Sequence, residues 1–126
     1  MTPRLLRAYR ATRYEADDVS VFIGQRSGAM DALLRRHGVR AGVFLTAWNP
    51  GSRRMPEGWN HRMQRALLER LRRRLVLPAE GSWRTWREDH VLVLAVPARA
   101  AGLARLFRQH AVVIVRVGQA PRLGIF

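Results

Sequence analysis

Apolar residues alternate or cluster in short runs along the chain, which predicts β-strands separated by turns. Tyrosine and threonine near the N-terminus favour a first strand, and Asp17-Asp18 predicts a tight turn into a second one. The run at 41–48 carries no charge and ends at Asn49-Pro50, which predicts a buried strand. The predicted strands are residues 9–16, 19–23, 41–48, 90–96 and 111–117, with shorter ones at 75–77 and 123–126.

Intervals of three and four between apolar residues predict three amphipathic helices. Ser27 is a suitable N-cap for the first helix, which Gly38 ends. The second helix is the longest, at 57–75, and the third covers 99–110. The apolar face of the second helix comprises Trp59, Met63, Ala66, Leu67, Leu71 and Leu75. The inward residues of the third helix are Leu103, Leu106, Phe107 and His110, and Gly102 predicts close packing there.

The alternation of helices with apolar strands predicts one sheet with helices packed against it. Paired strands near both ends of the chain favour antiparallel edges. We therefore expect an α+β fold, with one mixed, largely antiparallel sheet of five or six strands packed by three helices; the alternative is a three-layer α/β arrangement. The 126 residues suit a single domain spanning 1–126, with its core at about 9–117. Pro78 and Gly81 predict a loop after the second helix.

The chain lacks the residues that several classes of site and of targeting signal require. The chain contains no cysteine, which excludes disulfides, thiolate metal sites and cysteine nucleophiles. Its apolar runs are too short to span a bilayer, and residues 1–7 lack a secretory signal, so we expect a cytoplasmic protein without membrane contact. The histidines have no metal-site spacing, and no phosphate loop or dinucleotide fingerprint occurs, so we expect no metal and no cofactor.

The charge is strongly positive, which changes the expectation about partners. Twenty-three basic residues, all of them arginine, stand against nine acidic ones, giving a net charge of +14. Arginine forms forked hydrogen bonds with phosphate and carboxylate groups. The second predicted helix is rich in it, and Arg62, Arg65, Arg72 and Arg73 are candidates for binding a nucleic acid or another polyanion. The alternative is an ordinary solvated helix face.

The segment Thr46-Ala47-Trp48-Asn49-Pro50 places polar groups where an apolar strand ends. Functional side chains are common at strand exits, since loops there are held by a rigid sheet. An asparagine before proline also starts turns, which is the structural alternative. The candidate ligand-binding residues are Thr46, Trp48, Asn49, Asn60, Glu88 and Gln109.

The same segment, with Trp86-x-Glu88 and Phe107-x-Gln109 in the same order downstream, resembles an uncharacterised bacterial family of domains of unknown function, numbered thirty-two ninety-three. The resemblance extends over roughly residues 9–117. It departs from the family pattern at Trp59, where glutamate is common, and at Met63, where arginine is common. The family has no established activity, so the resemblance implies a grouping and not a mechanism.

Three functions remain open. The first is a small binding or accessory module with its polar site at the Trp48-Asn49 strand exit. The second is binding of RNA, DNA or a ribonucleoprotein through the arginine-rich helix, which predicts a basic face and salt-sensitive affinity. The third is an enzyme acting on a small anionic substrate, which predicts that the polar candidates converge on one cavity.

Overall fold

Seven strands form one sheet in the computed structural model, which describes residues 1–96 and 98–125. The spatial order is β2-β1-β4-β5-β3-β6-β7, and every pairing between the described strands is antiparallel. The strands are β1 (Arg13–Ala16), β2 (Val19–Val21), β3 (Ala41–Leu45), β4 (Val76–Trp83), β5 (Trp86–Val93), β6 (Ala111–Arg116) and β7 (Arg122–Ile125).

Helices cover both faces of this sheet. They are α1 (Pro3–Ala11), α2 (Gly28–Arg36), α3 (Glu57–Arg70) and α4 (Ala100–Leu106), with a short 3₁₀ turn at Pro50–Ser52. Successive side chains of a strand point to opposite faces, so each face has its own hydrophobic core. On β5, Leu92 packs with α1 and α2, whereas Val91 and Val93 pack with α3 and α4. No helix among the described residues combines the length and the apolar character needed to cross a bilayer.

The predicted α+β class is confirmed, but the predicted numbers of strands and helices are wrong. The structure has seven strands and four α-helices within the described ranges. The extra helix is α1, whose N-cap Thr2 accepts a hydrogen bond from the Leu5 amide at 3.1 Å, with Pro3 at the first helical position. Residues 9–11 belong to this helix, so the predicted strand at 9–16 is confirmed only as Arg13–Ala16.

The predicted loop around Pro78 and Gly81 is instead part of strand β4. The pairing of β4 with β1 stops at Ala79, so Pro78 has no partner on the β1 side. The N–H group that proline lacks is therefore not needed for a hydrogen bond of the sheet. Gly81 lies against the His90 ring: a Cβ at this position would be 2.7 Å from His90 Cε1. Both residues fit a strand because of neighbours that are distant along the chain.

Helices α3 and α4 are shorter than predicted. Leu75, predicted to lie on the apolar face of α3, is beyond the end of this helix and is 57% exposed. The buried residues of α3 are Asn60, Gln64 and Leu67. Leu106, predicted to point inward, is exposed, and a Cβ on Gly102 would meet nothing within 4 Å, so the close packing predicted there is absent.

The capping of α2 and the hairpin turn agree with the sequence. Ser27 accepts from the Met30 amide at 3.1 Å, and Gly38 follows α2 with φ +70°. Asp17 and Asp18 both have positive φ and connect β1 to β2. The last predicted strand at 123–126 is confirmed as β7, and its final residue, Phe126, lies outside the described residues.

Candidate functional site

The chain leaves β3 through a sharp turn centred on Asn49. This residue has left-handed backbone angles (φ 47°, ψ 62°) and is 5% exposed. Asparagine tolerates this conformation better than other residues with a Cβ, because its short polar side chain bonds nearby groups. Pro50 follows it and begins the 3₁₀ turn.

The Asn49 side chain uses both of its polar atoms inside the protein. Its Oδ1 accepts from the Met55 amide and from Asn60 Nδ2, each at 2.9 Å, and its Nδ2 donates to Glu88 Oε2 at 2.7 Å. The Asn49 backbone N–H donates to Asn60 Oδ1 at 2.9 Å. The two asparagines therefore bond each other twice, and the pair ties α3 to β5.

Three more side-chain hydrogen bonds hold the segment just before this turn, residues 46–48. Gln64 Oε1 accepts from the Ala47 amide at 2.9 Å, and Gln109 Nε2 donates to the Trp48 carbonyl at 3.0 Å. Thr46 Oγ1 donates to the Asp89 carbonyl at 2.6 Å. We call this network the asparagine clamp: Thr46, Trp48, Asn49, Asn60, Gln64, Glu88 and Gln109.

The structure thus brings together all six predicted ligand-binding residues, from the loop after β3, from α3, from β5 and from the link between α4 and β6. Except for the Trp48 indole nitrogen, their side-chain polar groups bond one another or the backbone rather than face an open cavity. Sequence reasoning missed Gln64. Its signal was the spacing of Asn60, Gln64, Leu67 and Leu71, which places two amides on the buried stripe of α3.

Glu88 is the charged member of the clamp. Burial raises its pKa, opposed by hydrogen bonds from Asn49 and Trp86. Burial, with a smaller contribution from the Glu88 charge, raises the pKa of Tyr9 to about 12. Burial lowers the pKa of His90 to about 4, and its ring stands edge-on to Tyr14 at 5.7 Å. Near neutral pH, His90 and Tyr9 are therefore uncharged.

Trp48 is the clamp residue whose ring contacts His61 of α3. It is 4% exposed, and its indole Nε1 has no hydrogen-bond partner among the described residues. The His61 ring lies edge-on to it at 5.1 Å, and His61 Nδ1 is 3.7 Å from Asp89 Oδ2.

A groove of about 500 Å³ lies between α3 and the strands β1, β4 and β5. Five of the nine acidic residues line it, although the protein is strongly basic. Arg87 pairs with two of them, Glu80 at 2.9 Å and Asp89 at 2.8 Å. No group of three or more potential ligands in residues 1–96 and 98–125 has the arrangement of a metal site. The five acidic residues are Glu15, Asp17, Asp18, Glu80 and Asp89.

A second depression, of about 400 Å³, lies where α3 ends near the start of α4. Arg72 pairs with Glu69 at 2.8 Å, and Arg99 Nη2 donates to the Arg70 carbonyl at 3.0 Å. Of the predicted polyanion-binding residues, Arg72 and Arg73 line it, whereas Arg62 and Arg65 lie on the exposed side of α3. We call it the arginine pocket: Glu69, Arg70, Arg72, Arg73 and Arg99.

The family model described as "Protein of unknown function (DUF3293)" matches residues 45–112, more than half of the chain. The chain belongs to the DUF3293 family. This confirms the predicted family, over a shorter segment than the resemblance at 9–117. No curated protein and no solved structure matches the chain.

The DUF3293 match contains every residue of the asparagine clamp and of the arginine pocket. The acidic groove is divided: its β1 and β1–β2 turn residues precede the match, and Glu80 and Asp89 lie within it. Of the described strands, β4 and β5 lie wholly inside the DUF3293 segment, β3 and β6 overlap its two ends, and β1, β2 and β7 lie outside it. The family signature therefore falls on the clamp and on the helices beside it.

Proposed function

We propose that the protein is a nucleic-acid-binding module that holds backbone phosphates in the arginine pocket. The observation that supports this proposal is the meeting of four arginines from two distant parts of the chain, Arg70, Arg72, Arg73 and Arg99. Only one acidic residue, Glu69, shares the pocket with them. Guanidinium groups match phosphate oxygens in pairs, and backbone phosphates occur in every nucleic acid.

The wider surface favours the same partner. Every arginine except the half-buried Arg116 is exposed, so the net charge of +14 acts at the surface. Such a field attracts a polyanion and speeds its encounter with the protein. The affinity should then fall steeply as salt rises, because each phosphate contact releases condensed counterions.

The exposed side of α3 leads to the pocket. Arg62 and Arg65 lie there, and their spacing keeps them on the same side of the helix as Glu69, while Arg72 follows two residues after the last helical residue, Arg70. The 14 residues of α3 extend over about 21 Å. Successive phosphates of one duplex strand are about 3.4 Å apart along the helix axis, so this length spans about six of them.

Binding is better supported than catalysis. The acid–base groups with shifted pKa values lie in the clamp and its surroundings, where they contact other side chains; they are Glu88, His90, Tyr9 and Tyr14. The acid of the arginine pocket, Glu69, is already paired with Arg72 at 2.8 Å. The pocket therefore offers charge and hydrogen-bond donors but no free general base.

A matched pair of double variants tests this proposal. Arg72→Glu/Arg73→Glu alters the pocket, and Arg35→Glu/Arg36→Glu makes the same charge change at the end of α2. In each variant the two arginines are neighbours in the sequence near a helix end. One arginine of each variant is ion-paired: Arg72 with Glu69, and Arg36 with Asp17. The two variants therefore differ in place and not in net charge.

The measurement is the fluorescence anisotropy of labelled RNA and DNA oligonucleotides across a salt series. Four phosphate contacts give a slope of about −3 for the logarithm of the binding constant against the logarithm of salt concentration. We expect the pocket variant to bind at least tenfold more weakly with about half this slope, and the α2 variant to bind nearly as wild type. Equal weakening of both variants, or no wild-type binding at low salt, would contradict the proposal.

A further inference from the structure

The hairpin between β4 and β5 carries two tryptophans at its tip. Trp83 and Trp86 are direct partners across the hairpin, so their side chains leave the sheet on the same face. Trp83 is 40% exposed, ten times the fraction of the core residue Trp48 at 4%. Neither tip tryptophan belongs to the two hydrophobic clusters that the described residues form. The two hydrophobic cores therefore do not account for these rings, although the half-buried Trp86 also donates a hydrogen bond to Glu88.

Each of these rings has an arginine against it. The Arg84 guanidinium carbon is 5.0 Å from the centre of the Trp83 ring, and that of Arg54 is 5.3 Å from the Trp86 ring. Arg84 occupies the turn with φ 56°, a left-handed conformation that is unfavourable for an arginine. We call residues 83–86 the tryptophan tip.

Rings flanked by cations suit a ligand that alternates flat bases with negative charges. Aromatic side chains stack on the faces of unpaired bases, and arginines beside them meet the phosphates between those bases. In a duplex the bases are stacked on each other and present only their edges. The tip sequence Trp83-Arg84-Thr85-Trp86 contains no aliphatic residue to insert into lipid. These features favour single strands over duplexes and membranes.

We propose that the tryptophan tip stacks unpaired bases, so that the nucleic acid of the proposed function is bound as a single strand. This inference rests on the proposed function and adds a second contact to the arginine pocket. Arg54 reaches Trp86 from the loop that leads directly into α3, so the tip lies at the same end of the sheet as the start of that helix. The pocket lies at the other end of α3. Trp86 shares its β5 face with Leu92 and not with Val91, so a strand held at both places crosses the end of the sheet to reach the exposed side of α3.

The test separates bases from phosphates. Two single-stranded DNA probes of equal length are compared, one with normal bases and one with abasic sites, which keeps the phosphates and removes the stacking surfaces. We expect wild type to bind the normal strand about tenfold more tightly than the abasic one. Trp83→Leu should remove this preference, and Trp83→Phe should retain most of it because the phenyl ring still stacks.

The two proposals fail in different ways. If wild type binds both probes equally and Trp83→Leu changes nothing, the tip is not a stacking site, while the arginine pocket can still bind phosphates. If Trp83→Leu weakens the abasic probe as much as the normal one, stacking is likewise refuted. If wild type binds neither probe at low salt, the proposed function itself fails. Binding to vesicles of anionic lipid that requires Trp83, without binding to either probe, would also overturn the inference.

Discussion

Replacing Asn49 by alanine should be among the most damaging single changes to this fold. The substitution removes two hydrogen bonds to neutral groups, Met55 and Asn60, and one to the Glu88 carboxylate. Each neutral bond contributes about 1 kcal/mol and the charged one about 2 kcal/mol. Alanine at φ 47° adds about 1 kcal/mol of backbone strain. The expected loss is therefore about 5 kcal/mol, against a total stability of about 5–15 kcal/mol for a typical domain.

Urea unfolding at neutral pH, followed by far-ultraviolet circular dichroism, measures this loss. Asn49→Gly keeps the left-handed backbone without strain, so it should lose about 1 kcal/mol less than Asn49→Ala. Ser52→Ala is a control for alanine at a left-handed position without the hydrogen bonds of the clamp, since Ser52 is exposed with φ 61°. If Asn49→Ala costs no more than Ser52→Ala, the hydrogen bonds of the clamp do not stabilise the fold and the reasoning is refuted.

Two further variants test the packing around β4 and β5. The buried His90 resists protonation down to about pH 4, whereas an unfolded histidine takes its proton near pH 6.5. The free energy of unfolding should therefore fall by up to about 3 kcal/mol between pH 6.5 and 4 relative to His90→Phe, as measured by urea midpoints. Parallel pH profiles of the two proteins would count against a buried neutral imidazole. Gly81→Ala, whose Cβ would lie 2.7 Å from His90 Cε1, should cost about 1–3 kcal/mol by thermal melting. Gly102→Ala, with nothing within 4 Å of its Cβ, is the control and should be neutral or stabilising; similar losses for both alanines would exclude a steric cause at Gly81.

Features encoded by neighbouring residues could be predicted from the sequence. The cap at Ser27, the glycine stop at Gly38 and the Asp17-Asp18 turn depend on local geometry, and the structure has all three. The gathering of polar groups after β3 was also predictable, because the Thr46–Pro50 segment breaks an apolar run with groups that must find partners.

Features set by distant neighbours could not be predicted in this way. Pro78 and Gly81 look like loop residues until the end of β1 and the His90 ring are placed beside them. Asn60 and Gln64 are polar, so the apolar pattern assigned the buried face of α3 to Trp59 and Met63 instead. Arg99 joins the arginine pocket from a different helix, and charge counting along α3 gives no sign of it.

The order of the sheet determines which parts of the molecule open first. The edge strands β2 and β7 each have a single neighbour, whereas β3 lies between β5 and β6 with Gly42 to Leu45 buried. Local fluctuations that detach an edge strand expose few apolar groups, and those that detach β3 expose both cores. Local unfolding of the edge strands should therefore leave the clamp intact, since the clamp residues are attached to the interior strands and to the helices beside them.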